Sequence, residues 1–88
     1  MTLEEVLEEL NEDALLLEPR SQFDPCICGV GARFNDGPLA TYDVDKVLDS
    51  LASGGMSEEE AQEYFDVNIA GAWVGEGTPM FVRLIEKG

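Results

Sequence analysis

The sequence predicts an α+β fold in which helices cover a small antiparallel sheet of about three strands, in the order αββααβ. Three observations lead there: apolar residues at helical spacing in three stretches, extended glycine-containing runs around an Asn-Asp-Gly turn, and a closing apolar run rich in β-formers. The 88 residues, 44% hydrophobic and 27% charged, suit one hydrophobic core, so residues 1–88 are expected to form a single domain.

The first element is a helix from residue 3 to about 13. Leu3, Val6, Leu7 and Leu10 form one apolar stripe, and Thr2 with Glu5 has the capping-box pattern that starts a helix. Residues 14–17 either extend it or pack as an apolar tail, and Pro19 marks its limit. A loop is expected over residues 17–24. Two extended runs around Asn35, Asp36 and Gly37 then predict a β-hairpin, in which Gly29 and Gly31 mark a bulge or a close backbone approach.

Val44, Val47, Leu48 and Leu51 define a second helix, capped by Asp43 and stopped at Gly54 and Gly55. Ser57 with Glu60 is another capping box. It opens a third helix that is expected to place Ala61, Tyr64, Phe65, Asn68, Ile69 and Ala72 on one side. The turn residues of GEGTP end it, and MFVRLI, with Val82, Leu84 and Ile85, is the closing strand.

Charge narrows the function classes: 19 acidic against 5 basic residues give a formal net charge of −14. Direct binding to nucleic acid or to an anionic membrane is not expected, because both depend on Lys and Arg meeting phosphate. No apolar run approaches the roughly 20 residues that span a bilayer. The acidic start MTLEEVLEEL is unlike a basic secretory signal, so a cytoplasmic location is expected.

The ingredients of most enzymes are missing. There is no histidine, which removes the usual general base and most zinc sites. Cys26 and Cys28 cannot complete a structural zinc site. They are expected as reduced, small core residues rather than a disulfide or a nucleophile. Asp43, Asp45 and Asp49 lack the glycine and terminal glutamate of a calcium loop and suit a solvated helix face better. Gly29-x-Gly31 lacks the third glycine of a dinucleotide fingerprint. No catalytic residue, metal ligand or cofactor is assigned, and the chain is read as a binding protein.

Two polar or amphipathic residues stand out near the third helix. Asn68 lies on its apolar side, where the amide either ties the helix to nearby backbone or touches a ligand. Trp73 either closes an edge of the core or anchors an interface.

The acids are concentrated. Glu4, Glu5, Glu8, Glu9, Glu12 and Asp13 precede the first basic residue, Arg20. In a continuous helix they make four like-charged i, i+4 pairs, 4 with 8, 5 with 9, 8 with 12 and 9 with 13. Together these oppose folding by roughly 1–2 kcal/mol. Such a row imitates a nucleic-acid backbone and suits a basic groove; a solubility face or salt adaptation is the competing explanation. Glu59 and Glu63 on the third helix complete the expected partner-binding set.

The stretch SGGMSEEEAQEYFDVNIAGAWVGEGTPMFVRL, with Tyr42-Asp43 before it, resembles a widespread family of small phage- and prophage-encoded proteins. The shared features are Gly55-Met56-Ser57, the helix from Glu59 to Phe65, Asn68, Gly71-Ala72 and the turn from Gly75 to Pro79, and the likeness covers roughly residues 19 to 84. The resemblance brings no activity with it. Two departures are the cysteines, where aliphatic residues are common, and the strongly acidic first helix. By analogy with small acidic phage inhibitors of host defence, including anti-CRISPR proteins that imitate DNA, it implies an inhibitor of a basic, nucleic-acid-binding host protein in the host cytoplasm. The alternative is a structural or regulatory interaction module whose surface of Tyr64, Phe65 and Trp73 binds a partner or a second copy as a homodimer.

Overall fold

The computed structural model describes residues 1–33, 37–71 and 77–85. The hairpin turn at Asn35 and Asp36, together with Ala72 and Trp73, lies outside the described residues. Helix α1 spans Leu3–Glu9, α2 spans Arg20–Phe23, and a 3₁₀ turn over Asp24–Cys26 leads into β1, Ile27–Gly31. Strand β2 is Leu39–Asp43; α3, Val44–Ser53, and α4, Glu58–Tyr64, follow; a π-helical segment over Phe65–Ala70 extends α4; β3 is Met80–Val82.

The fold is α+β, with helices and a three-stranded sheet in the order β1-β2-β3. The sheet is mixed rather than wholly antiparallel. β1 pairs antiparallel with β2, and β3 pairs parallel with β2, placing Tyr42 opposite Phe81. A parallel neighbour requires a crossover, and the chain through α3, α4 and the π-helical segment supplies it. Apolar periodicity identifies strands but carries no information about their direction.

The core is built on the central strand, all of whose residues are buried. Ala40 and Tyr42 join a cluster with Val47 and Leu51 of α3, and with Ala61, Phe65 and Ile69 beyond it. Phe81 stacks on Tyr42 with ring centroids 5.8 Å apart and meets Phe65 edge-on at 5.2 Å, so β3 is fastened to the helical layer through aromatic contacts. Burial of such side chains contributes about 1.5–3 kcal/mol each.

The predicted caps are present. Thr2 and Glu5 close a reciprocal box, as do Ser57 and Glu60. The Asp43 carboxylate accepts from the N–H groups of Asp45 at 3.0 Å and Lys46 at 3.4 Å while its backbone still ends β2, so strand and helix join without a loop. Gly55 adopts φ +111° just beyond α3, a conformation that disfavours a side chain.

Several boundaries differ from expectation. α1 stops at Glu9, because Leu10 turns extended at ψ 146° and the Asn11 N–H donates to the Pro38 carbonyl at 2.9 Å. Residues 14–17 are the apolar tail, with Leu17 in the core. The expected loop contains α2, begun by the Pro19 carbonyl, which accepts from Gln22 and Phe23. At the closing strand only Met80–Val82 pair; Leu84 is exposed and Ile85 is 93% exposed, so neither is core.

Gly29 and Gly31 divide the two roles foreseen for them. The β1–β2 register shifts between Ile27 and Gly29, leaving a bulge at Cys28. At Gly31 a Cβ would collide with Met80 Sδ and lie 2.6 Å from Thr41 Oγ1. That is a close approach of side chains rather than of backbone.

Candidate functional site

All six N-terminal acids are exposed, and among the described residues no cation is paired with any of them. Their arrangement is not the continuous ladder expected. Glu4, Glu5, Glu8 and Glu9 lie on α1, whereas Glu12 and Asp13 follow its end on a non-helical path. The pairs 4/8 and 5/9 survive; 8/12 and 9/13 do not exist as helical neighbours. Glu5 is also the capping-box acceptor, at 3.1 Å from the Thr2 nitrogen. The opposition to folding therefore falls to about 0.4–1 kcal/mol for the two remaining pairs.

Glu59 and Glu63 are exposed on α4, one turn apart. They belong to a separate set, since α1 packs against β1 and α4 packs against α3. Glu63 borders a depression with Met56, Tyr64 and Val67.

Among the described residues the cations sit elsewhere. Arg20 grips Asp24 with Nη2 at 2.9 Å and Nε at 3.2 Å, and these hydrogen bonds hold its guanidinium above the ordinary value. Arg83 Nε lies 3.8 Å from Asp45, and Arg33 donates to the Thr78 carbonyl at 2.8 Å. Asp45 and Asp49 are solvated, as expected, whereas Asp43 is buried as a helix cap.

Cys26 and Cys28 are both free thiols. Cys26 is buried in the 3₁₀ turn, but Cys28 is exposed at the bulge, so only one of them is the core residue expected of both. Burial pushes the Cys26 thiol up, opposed by Lys46; partial desolvation and then the Asp43 carboxylate raise Cys28. Both shifts favour the unreactive protonated form. Among the described residues no three His, Cys, Asp or Glu side chains are grouped to hold a metal ion.

The surface expected of the interaction module is also divided. Tyr64 is 40% exposed and Phe65 is buried, with its ring against Phe81. Asn68 is exposed rather than on the apolar side. The wider turn of the π-helical segment rotates the residues after Phe65 relative to an ideal α-helix, burying Ile69 while leaving Val67 and Asn68 outside.

A groove that no motif announced lies beside this turn. It has a volume of about 530 Å³ and runs between residues 14–18, α2 and the π-helical segment, with Leu15, Phe23, Tyr64 and Ile69 among its walls. Its sequence signal was the apolar tail itself, too long to be spent on one core position. Among the described residues no helix is long and apolar enough to cross a membrane. Comparison with protein-family models, curated proteins and solved structures finds no match.

Proposed function

We propose that this chain is an acidic, phage-type binding protein that inhibits a host nucleic-acid-binding complex, of the defence or CRISPR-like kind, by occupying its basic DNA-binding surface. The observation that carries the reading is the exposure of Glu4, Glu5, Glu8, Glu9, Glu12 and Asp13 on one N-terminal stretch without a paired cation among the described residues. Carboxylates held on a short helix and its extension meet a basic groove with little rearrangement, and a net charge of −14 steers the encounter over about a Debye length. Glu59 and Glu63 form a second acidic set that reinforces steering rather than extending the same ladder. The host cytoplasm is the setting this proposal implies.

The test is capture from a host lysate with the wild-type protein and with a Glu4→Lys, Glu8→Lys, Glu12→Lys variant, followed by competition for duplex DNA on the captured partner. The wild type is expected to retain a DNA-binding protein at low salt, displace labelled duplex from it, and release it as ionic strength rises. Equal retention and displacement by the charge-reversed variant would overturn the proposal.

A structural or regulatory interaction module with a solvated acidic surface is the second reading. The exposure of Tyr64 and Val67, at 40% and 63%, favours it.

A further inference from the structure

Three depressions meet at Tyr64, which lines all of them. The groove of about 530 Å³ contributes Leu15, Leu16 and Phe23. A neighbour of about 290 Å³ adds Val67, and another of about 310 Å³ adds Leu51; both include Met56. The result is one apolar tract on which Tyr64 and Leu15 are each 40% exposed and Val67 is 63% exposed. Its acidic borders are Glu18, Glu60 and Glu63. Among the described residues Arg20 is the one cation lining these depressions, and its guanidinium is already held by Asp24.

We infer that this tract docks a basic amphipathic helix of a partner protein. The partner's apolar stripe rests on Leu15, Tyr64 and Val67, and its flanking Lys or Arg residues face Glu18, Glu60 and Glu63. An apolar groove with a carboxylate border complements a helix whose apolar face is edged by cations. Tyr64, central and partly shielded, is the kind of residue that dominates such interfaces. A second copy of this chain is a poor occupant, because it would bring a net charge of −14 and acidic helices of its own to an acidic border. None of the α1 acids lines the tract, so the inference stands apart from the DNA-mimic reading.

The probe is a fluorescein-labelled Leu/Lys peptide of about 14 residues, about four turns of helix with leucine along one face. A Ser/Lys peptide of equal charge is the control. By fluorescence anisotropy the full chain is expected to bind the Leu/Lys peptide at least tenfold more tightly than the Ser/Lys peptide. A Tyr64→Lys, Val67→Lys variant, shown to be folded by circular dichroism, should lose at least tenfold. Neutralising Glu4, Glu8 and Glu12 to Gln should change affinity less than twofold, which separates this face from the α1 surface. Amide shifts of the unmodified protein on peptide addition should concentrate at Leu15, Tyr64 and Val67, a measurement that holds even if the double variant fails to fold. Equal binding of the two peptides, shifts centred on α1, or a stable dimer dissociated by Tyr64→Lys would each overturn the inference.

Discussion

The phenol oxygen of Tyr42, on the central strand, accepts a hydrogen bond of 2.8 Å from the backbone N–H of Leu17, 25 residues earlier in the chain. Tyr42 is fully buried and Leu17 nearly so, which makes this bond the polar pin between the N-terminal connector and the sheet. Tyr42→Phe keeps the ring but leaves a buried N–H without an acceptor. Its expected cost is about 1–3 kcal/mol, read as a lower denaturation midpoint with unchanged far-ultraviolet dichroism.

Thr41, next to it, predicts the opposite sign. Its hydroxyl is buried without a hydrogen-bond partner among the described residues. Thr41→Val replaces that oxygen by a methyl group of similar size and is expected to stabilise the protein by about 1 kcal/mol. Thermal unfolding of the two single variants should move in opposite directions.

Two glycine substitutions should differ sharply. Gly77 has φ +80°, and a Cβ there would collide with the Asp13 carbonyl, so Gly77→Ala should cost more than about 1–2 kcal/mol. A Cβ at Gly29 meets nothing within 4 Å, and Gly29→Ala should stay within about 0.5 kcal/mol of wild type. Urea titrations of both variants check the contrast.

Stability should fall at alkaline pH. The folded state raises the Cys26 thiol and the Tyr42 phenol by burial, so it holds both protons more tightly than the unfolded chain. That contribution is complete below the ordinary thiol value of about 8.5 and is lost as pH climbs through the raised value, with tyrosine adding its loss above about 10. Cys26→Ala should flatten the first part of the decline in urea midpoint. Under native conditions Cys28 alone should be accessible to a thiol reagent, reacting more slowly than an unperturbed thiol, and denaturant should expose the second.

Glu8 lies in the last turn of α1, which has no basic residue, one turn beyond Glu4. Glu8→Gln removes both a like-charge pair and an unfavourable interaction with the helix C-terminus. It should stabilise by about 0.3–1 kcal/mol at low ionic strength, and the gain should disappear near 1 M salt.

Local chemistry explains which features were legible from the sequence. Both capping boxes, the Asp43 cap and the Gly54-Gly55 stop follow from neighbours a few residues apart, and the structure has them all. What the sequence concealed depends on distant partners. Nothing near Leu10 signals that Pro38 will capture the Asn11 N–H, so the end of α1 and with it half of the acidic ladder were misplaced. The parallel pairing of Tyr42 with Phe81 is likewise decided by the path of a crossover. The displacement of Asn68 from the apolar side follows from a change of helical pitch after Tyr64 that periodicity assumed constant.

The connector between α1 and the sheet is held at several points: Leu15 N–H donates to the Gly77 carbonyl at 2.9 Å, Asp13 closes over Gly77, and Leu17 is pinned by Tyr42. The N-terminus is therefore not a detachable arm. Grafting a differently charged leader onto this scaffold should succeed only upstream of Leu10. A cut placed later would strip one wall from the groove and loosen the turn before β3, so deleting the acids by truncation would confound lost charge with lost architecture.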